Sequence, residues 1–78
     1  MEVEKAFGIV LRELRQHKGW SQETLAFEAG MDRNYISLLE LGRNSASVKV
    51  IFKLAPVLGV TVAEFMTQVE TKFKSQTN

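Results

Sequence analysis

The chain has 78 residues, of which 45% are hydrophobic and 24% are charged, and its net charge is only +1. A chain of this size has room for one compact core and not for two, and its charged fraction argues against disorder. The absence of cysteine excludes disulfides and thiolate metal sites. No apolar run approaches the roughly 20 residues that a membrane-spanning helix needs, and the first residues lack the basic-then-apolar order of a signal peptide. We therefore expect one cytoplasmic domain over residues 1–78.

The first predicted helix covers about residues 3–18. Apolar residues at the i, i+3, i+4, i+7 spacing give it one buried face. These residues are Phe7, Val10, Leu11 and Leu14. Gly19 then ends the helix, because glycine adopts the left-handed conformation without a steric clash.

Two short helices follow, each preceded by a capping residue. Ser21 is the expected N-cap of the second helix, which Gly30 closes. Asp32 is the expected N-cap of the third helix, which ends near Leu41, just before a further glycine. An apolar residue before each cap and another at the fourth helical position form hydrophobic staples. The two pairs are Trp20 with Leu25 and Met31 with Ile36.

The fourth predicted helix begins after Ser47, which can cap it, and ends at Gly59. Its predicted buried face consists of Val48, Ile51, Ala55 and Leu58. Pro56 lies inside this helix, where it removes one backbone hydrogen bond and is expected to kink the last turn.

A fifth helix is predicted after a capping box formed by Thr61 and Glu64, with Val60 and Phe65 as its staple. It is expected to reach about Lys72, before a polar tail over residues 74–78 that frays. No alternating strand pattern competes with these helices. The predicted fold class is therefore all-α, a compact bundle of five helices.

Residues 22–41 form two short helices around a glycine, an arrangement that any helical hairpin can share. The small residues favour a DNA-binding helix-turn-helix, because Ala26 lies where the helices would cross and Gly30 lies at the turn. The predicted inner face consists of Leu25, Ala29, Ile36 and Leu39. Hydrogen-bonding residues occupy outward positions in the N-terminal half of the second of these helices, the end that a recognition helix presents to base edges. They are Arg33, Asn34 and Ser37.

Residues 22–42 resemble the lambda-repressor/Cro-type helix-turn-helix, and the five-helix layout fits that family over about residues 6–66. The run Asp-Arg-Asn-Tyr-Ile-Ser at residues 32–37 is similar to the controller proteins of restriction–modification systems. Their recognition helix reads Asp/His-Arg-Thr-Tyr-Ile-Ser, and their chain length is close to this one. Two residues depart from that pattern: Asn34 replaces the commoner threonine, and Leu41 stands where a polar or basic residue is usual.

The resemblance and the residue types together suggest base contacts from the third helix. Arg33 can donate two hydrogen bonds to guanine O6 and N7, although a solvated surface charge is the alternative. Asn34 can pair with adenine or lie near phosphate, and Ser37 can touch a base or a phosphate. Tyr35 is either a phosphate donor through its hydroxyl group or a packing residue.

Backbone contacts are expected on both sides of that helix. Gln22 stands at the start of the second helix, where free N–H groups and the helix dipole favour an anion, and the resemblance implies that its amide touches DNA phosphate. Further backbone contacts are expected from the loop after the third helix and from the fourth helix. The residues are Arg43, Asn44, Ser47 and Lys49. Arg12 and Arg15 are ambiguous, and a pair between Arg12 and a carboxylate such as Glu40 would be structural.

A second copy of the chain is the expected protein partner, because one short recognition helix reads too few base pairs. Three residues of the fifth helix form an apolar row at i, i+3, i+7, and a residue of the fourth helix can join them. The predicted dimer interface is Phe52, Met66, Val69 and Phe73. The alternative is that this row covers the core of a monomer.

An enzyme is not expected. His17 stands alone, metal-ligand spacing is absent, and no Gly-rich phosphate loop or nucleophile–base pair is present, so we predict no cofactor and no metal. The leading interpretation is a sequence-specific transcriptional regulator of the controller type, which binds a pseudo-palindromic operator as a homodimer. RNA polymerase is a second partner that the sequence leaves open. A phage-type repressor or an antitoxin regulator is the alternative within this class. An interaction module that has lost DNA binding is the alternative from another class.

Overall fold

The computed structural model describes residues 1–76, which form five α helices and, over that range, no strand. The helices are α1 (Val3–His17), α2 (Gln22–Ala29), α3 (Arg33–Glu40), α4 (Val48–Val57) and α5 (Val62–Gln76). This arrangement confirms the predicted all-α bundle of five helices. No single helix in the described range is long and apolar enough to cross a membrane, and only α4 and α5 together, bent by 106°, meet the length and hydropathy criteria.

The capping residues begin the helices as predicted. Ser21, Asp32 and Ser47 each accept a hydrogen bond from a backbone N–H two or three residues later, at 3.0, 2.9 and 3.2 Å. Thr61 and Glu64 form the reciprocal capping box, with bonds of 2.7 and 2.9 Å. Each cap satisfies a backbone donor that has no partner within the helix. The short helices of this chain therefore have starting points fixed by local sequence.

The core lies where α1 packs on α3 and α5 while α2 packs on α3 and α4. Its largest fully buried side chains are Phe65, Leu11, Leu25, Ile36, Leu39, Leu54, Val10 and Val69. The ring of Phe65 stacks on that of Phe7, with centroids 4.9 Å apart and planes inclined by 19°. Because Ile36 and Leu39 fix the inner face of α3, the opposite face of this helix is directed outward.

The predicted buried face of α4 is wrong at Val48, whose side chain is 70% exposed. The face that enters the core is formed by Leu54, Ala55 and Leu58. Val48 precedes the buried Ala55 by seven residues, so on an ideal helix it faces nearly the same way, and its exposure has a different cause. The first turn of α4 extends past the core and leaves this side chain in solvent.

The fifth helix is longer than predicted, because it continues four residues beyond Lys72 to its end at Gln76. Residues 74–76 of the expected frayed tail are therefore helical, while residues 77 and 78 lie outside the described part of the chain. Two contacts hold the last turns of α5. Phe73 packs against the core, and Lys72 Nζ donates a hydrogen bond to Glu13 Oε2 of α1 at 3.1 Å.

The prediction for the apolar row of α5 needs a correction at Val69, which is only 1% exposed and belongs to the core of its own chain. The reason is that Val69 follows Phe65 by one helical turn and faces the same way. Met66 and Phe73 are partly buried against that core. The row on α5 therefore largely covers the monomer, and Phe52 alone among the four predicted interface residues is strongly exposed, at 61%.

The crossing of α1 and α3 depends on Gly8. A Cβ at this position would lie 2.4 Å from the carbonyl oxygen of Leu39 and 2.5 Å from that of Glu40. Both of these atoms are backbone, so no side-chain rotation relieves the contact. The absence of a side chain at Gly8 thus lets the end of α3 rest directly on α1.

Candidate nucleic-acid interface

Helices α2 and α3 form a helix-turn-helix around Gly30. This glycine has the left-handed conformation, with φ 64° and ψ 40°, which a residue with a Cβ rarely adopts. The carbonyl oxygen of Ala26 accepts the N–H of Met31 at 2.8 Å, and the small side chain of Ala26 is buried where α2 meets the core. The turn therefore has the geometry that the sequence predicted.

The N-terminal half of α3 carries the predicted base-reading residues on its outer side. Arg33 and Asn34 are exposed and Ser37 is half-buried, whereas Ile36 and Leu39 on the other side of the helix are buried. Three hydrogen-bonding side chains thus lie together along about one and a half turns of helix. The structure brings these residues to one surface, and their contacts with bases stay a prediction.

The other residues predicted to contact the DNA backbone are exposed or half-buried. Arg43 and Lys49 are exposed, and Asn44 is half-buried. Ser47 already accepts the N–H of Val50, so its own hydroxyl proton is what it can offer to a phosphate. Tyr35 is half-buried and packs against the core, and a phosphate contact by its hydroxyl group stays a prediction.

A network of charged and polar groups joins α1, α2 and α3 beside this surface. Arg15 donates from Nε to Glu40 Oε2 at 2.7 Å and from Nη2 to Glu40 Oε1 at 3.0 Å. Its Nη1 donates to the carbonyl oxygen of Trp20 at 2.7 Å, and Gln22 Nε2 donates to Glu40 Oε1 at 3.0 Å. The hydrogen bonds with Glu40 raise the pKa of Arg15 above its ordinary value, so the guanidinium group is charged at every working pH.

This network corrects the suggested pairing of Arg12 with Glu40, because the partner of Glu40 is Arg15 and Arg12 is exposed. A signal for the true pair was present in the sequence. Arg15 follows the buried Leu11 by four residues, and Glu40 follows the buried Ile36 by four residues. Side chains four residues apart share a helix face, so the helical period predicts that both charged side chains lie at the edge of the core.

A second feature is an apolar stripe on the outer face of α4, which consists of Val48, Phe52 and Pro56. All three residues are exposed, and they recur at intervals of four, so they lie along one side of the helix. The sequence analysis predicted Phe52 alone of these three residues to lie in an interface. It assigned Val48 to the core and considered Pro56 only as the cause of a kink. Exposed apolar side chains in a row are typical of a surface that another protein covers.

The arrangement of residues matches known proteins over most of the chain. A family model described as Helix-turn-helix matches residues 11–65. A curated relative from Neisseria meningitidis serogroup B, called the Neisseria hypothetical transcription factor, is 38% identical over 68 residues. These residues are 87% of this chain and 64% of the relative, so the chain spans less than two thirds of that relative.

Two solved structures are similar over most of the molecule. The restriction-modification controller protein C.AhdI from Aeromonas hydrophila is 47% identical, with a TM-score of 0.76 over 80% of this chain and 94% of that one. The controller protein C.Esp1396I, solved as a tetramer in complex with its natural 35 base-pair operator, is 25% identical. Its TM-score is 0.83 over 92% of this chain and 95% of that one. Since the matched family region includes all of α2, α3 and α4, the chain belongs to the helix-turn-helix family.

Proposed function

We propose that this protein is a sequence-specific transcriptional regulator that binds a two-fold symmetric operator as a homodimer and controls a restriction–modification system. The observation that carries the proposal is the outer face of α3, where Arg33, Asn34 and Ser37 lie together at the N-terminal half of the helix. Side chains in this position of a helix-turn-helix read base edges in the major groove. A regulator of this kind acts at the nucleoid in the cytoplasm.

The controller role draws support from two sources. The run at residues 32–37 is similar to the recognition helix of controller proteins, and the structure of C.AhdI is similar at 47% identity. The operator complex of C.Esp1396I contains a tetramer, which suggests that two dimers of the present protein also bind side by side. If one of them activates transcription, RNA polymerase is its proposed second partner. A phage-type repressor or an antitoxin regulator would have the same DNA surface, and the neighbouring genes distinguish these cases.

The replacement Arg33→Ala tests the reading of bases. Binding of the wild type to a pool of randomised duplexes at moderate salt should recover a two-fold symmetric site. Each bidentate arginine–guanine pair contributes about 1–3 kcal/mol of discrimination, and a symmetric dimer has two such pairs. Arg33→Ala should therefore reduce affinity for the recovered site by about 30-fold or more and abolish its selectivity.

The matched variant Lys49→Ala separates reading of bases from attraction to phosphate. It should weaken binding to all sequences alike and lower the dependence of affinity on salt, while the site preference stays intact. A different result would contradict the proposal: no site is enriched, and the wild type and Arg33→Ala both bind DNA weakly and with strong salt dependence. The protein would then be an interaction module that has kept the fold but lost specific DNA binding.

The dimer is proposed to form through the apolar stripe of α4, and Phe52→Glu tests it. Burying a phenylalanine contributes roughly 1.5–3 kcal/mol, and two-fold symmetry counts this contribution twice. The replacement should raise the dimer dissociation constant by about 100-fold or more, as measured by analytical ultracentrifugation over a concentration series.

Phe27→Glu is the matched control, because Phe27 is 82% exposed and belongs to a different helix, α2. This control should remain dimeric. A protein that stays dimeric with Phe52→Glu and dissociates with Phe27→Glu would place the interface on α2 instead.

A further inference from the structure

The recognition helix α3 ends in an apolar side chain that faces away from the core. Leu41, the residue after Glu40 at the C-terminal end of α3, is 54% exposed. Its backbone is still helical, with φ −80° and ψ −7°, so the helical period gives its direction. Leu41 follows the exposed Asn34 by seven residues, nearly two full turns, and therefore faces the same way. The outer face of α3 thus includes Leu41.

The backbone holds Leu41 in this place. Its N–H donates to the carbonyl oxygen of Ser37 at 3.0 Å, and the chain then turns at Gly42, which has φ 74°. A Cβ on Gly42 would lie 2.9 Å from the Cα atom of Lys5, so the turn rests directly on α1. Leu41 is therefore carried by the packed helix and its turn, and its side chain is presented from a fixed point.

The outer face of α3 changes from polar to apolar along its length. Arg33 and Asn34 are exposed at its start. Ser37, one turn before Leu41, lines the same shallow cleft as Leu41, and the half-buried Leu38 lies on the other side of Leu41. From Arg33 to Leu41 the helix rises about 12 Å, the height of roughly three to four stacked base pairs. Its apolar end can therefore meet a different base pair from its polar end.

An exposed leucine has few suitable partners in a major groove. It neither donates nor accepts a hydrogen bond, and it has no charge for a phosphate. Against the polar edge of a guanine–cytosine pair it would cover donors and acceptors without replacing their bonds to water, which is costly. The apolar group on a base edge in this groove is the 5-methyl group of a pyrimidine. Thymine carries this group in unmodified DNA, and 5-methylcytosine carries it at the same ring position.

We propose that Leu41 is a specificity-determining residue that packs against one pyrimidine 5-methyl group in each half-site of the operator. The inference rests on the proposed DNA-binding function and deepens it, because it adds an apolar contact to the polar reading by Arg33. Leu41 stands where the controller pattern has a polar or basic residue, so this selectivity belongs to the present chain.

The test uses the full chain and the duplex selected from a randomised pool without methylated bases. Each thymine of the half-site is replaced in turn by uracil, in both half-sites at once, which removes only the methyl group from that base edge. For the wild type, one position should lose about 15-fold in affinity, because burial of one methyl-sized group contributes roughly fourfold and the site has two halves. Leu41→Ala should bind the thymine and uracil duplexes of that position equally well.

Two further variants separate an apolar contact from other roles of this position. Leu41→Met keeps an apolar side chain of similar reach, and it should keep the loss of affinity with uracil. Leu41→Gln has a polar end on a side chain of similar length, and it should be insensitive to uracil. Because the side chain of Leu41 is mostly in solvent, all three variants should unfold in urea at the midpoint of the wild type.

A second arm identifies the source of the methyl group. At the sensitive position, the thymine–adenine pair is replaced by a cytosine–guanine pair, with and without a methyl group on C5 of the cytosine. A gain of about 15-fold on methylation for the wild type, absent in Leu41→Ala, means that 5-methylcytosine serves as well as thymine. Equal affinities mean that thymine alone supplies the contact.

Two results would overturn the inference and leave the DNA-binding function standing, as long as Arg33→Ala still abolishes selectivity. In the first, the wild type tolerates uracil at every position as well as Leu41→Ala does, and Leu41 is an ordinary surface leucine. In the second, Leu41→Ala keeps the sensitivity to uracil but prevents a second dimer from binding beside the first, so that Leu41 faces protein. If the wild type selects no site at all, the function and the inference fall together.

Discussion

Replacing Gly8 with alanine is expected to destabilise the protein by about 2–3 kcal/mol, although alanine is the better helix former. The added Cβ would lie 2.4 Å from the carbonyl oxygen of Leu39 and 2.5 Å from that of Glu40. Relief of this contact requires α3 to move away from α1 as a body, which opens the core around Leu39. Urea unfolding followed by circular dichroism measures the change in the free energy of unfolding.

The control for this replacement is Gln16→Ala on the exposed side of the same helix, which should leave stability within about 0.5 kcal/mol of the wild type. Since Gly8 supports the end of the recognition helix, Gly8→Ala should also weaken DNA binding at temperatures where the variant is folded. An unchanged or higher stability of Gly8→Ala would mean that α1 and α3 have room between them.

Phe65→Ala is expected to have the largest effect on stability, a loss of about 3–5 kcal/mol. Phe65 is fully buried, and its ring stacks on Phe7 at 4.9 Å between centroids, so truncation leaves a cavity between α1 and α5. Domains are stable by about 5–15 kcal/mol in total, and a small domain lies near the lower end. The variant should therefore be largely unfolded at 37 °C, as thermal unfolding by circular dichroism will show.

Phe27→Ala is the same chemical change at an exposed site. With 82% of Phe27 exposed, little apolar surface returns to water when the ring is removed, and the midpoint of unfolding should hardly move. Equal losses from Phe65→Ala and Phe27→Ala would contradict the placement of the core between α1 and α5.

Most of the fold could be predicted because its signals are local. The caps Ser21, Asp32 and Ser47 act on backbone donors two or three residues away, so a short stretch of sequence contains both partners. The outer face of α3 could be predicted for the same reason. Once Ile36 and Leu39 are assigned to the core, the helical period alone places Arg33 and Ser37 on the outer face.

What the sequence did not predict depends on distant partners. The period of α4 allowed Val48 in the buried sector, and only the position of the neighbouring helices shows that the core does not reach its first turn. Val69 follows Phe65 by one helical turn, but only the packing of α5 on α1 shows that this face is filled within the monomer rather than by a second copy. The pair of Arg15 and Glu40 joins residues 25 positions apart, and the sequence analysis suggested Arg12 as the partner of Glu40 instead.

The burial of the Arg15–Glu40 pair gives the fold and the DNA contacts different responses to ionic strength. Salt screens exposed charges separated by about a Debye length, roughly 8–10 Å at physiological concentrations, but it screens partly buried pairs much less. Added salt also competes with a protein for phosphates, so it will weaken the backbone contacts proposed for exposed groups such as Arg43 and Lys49. The Arg15–Glu40 pair, which holds α3 against α1, stays formed under the same conditions. The protein therefore dissociates from its operator while the recognition helix keeps its position in the fold.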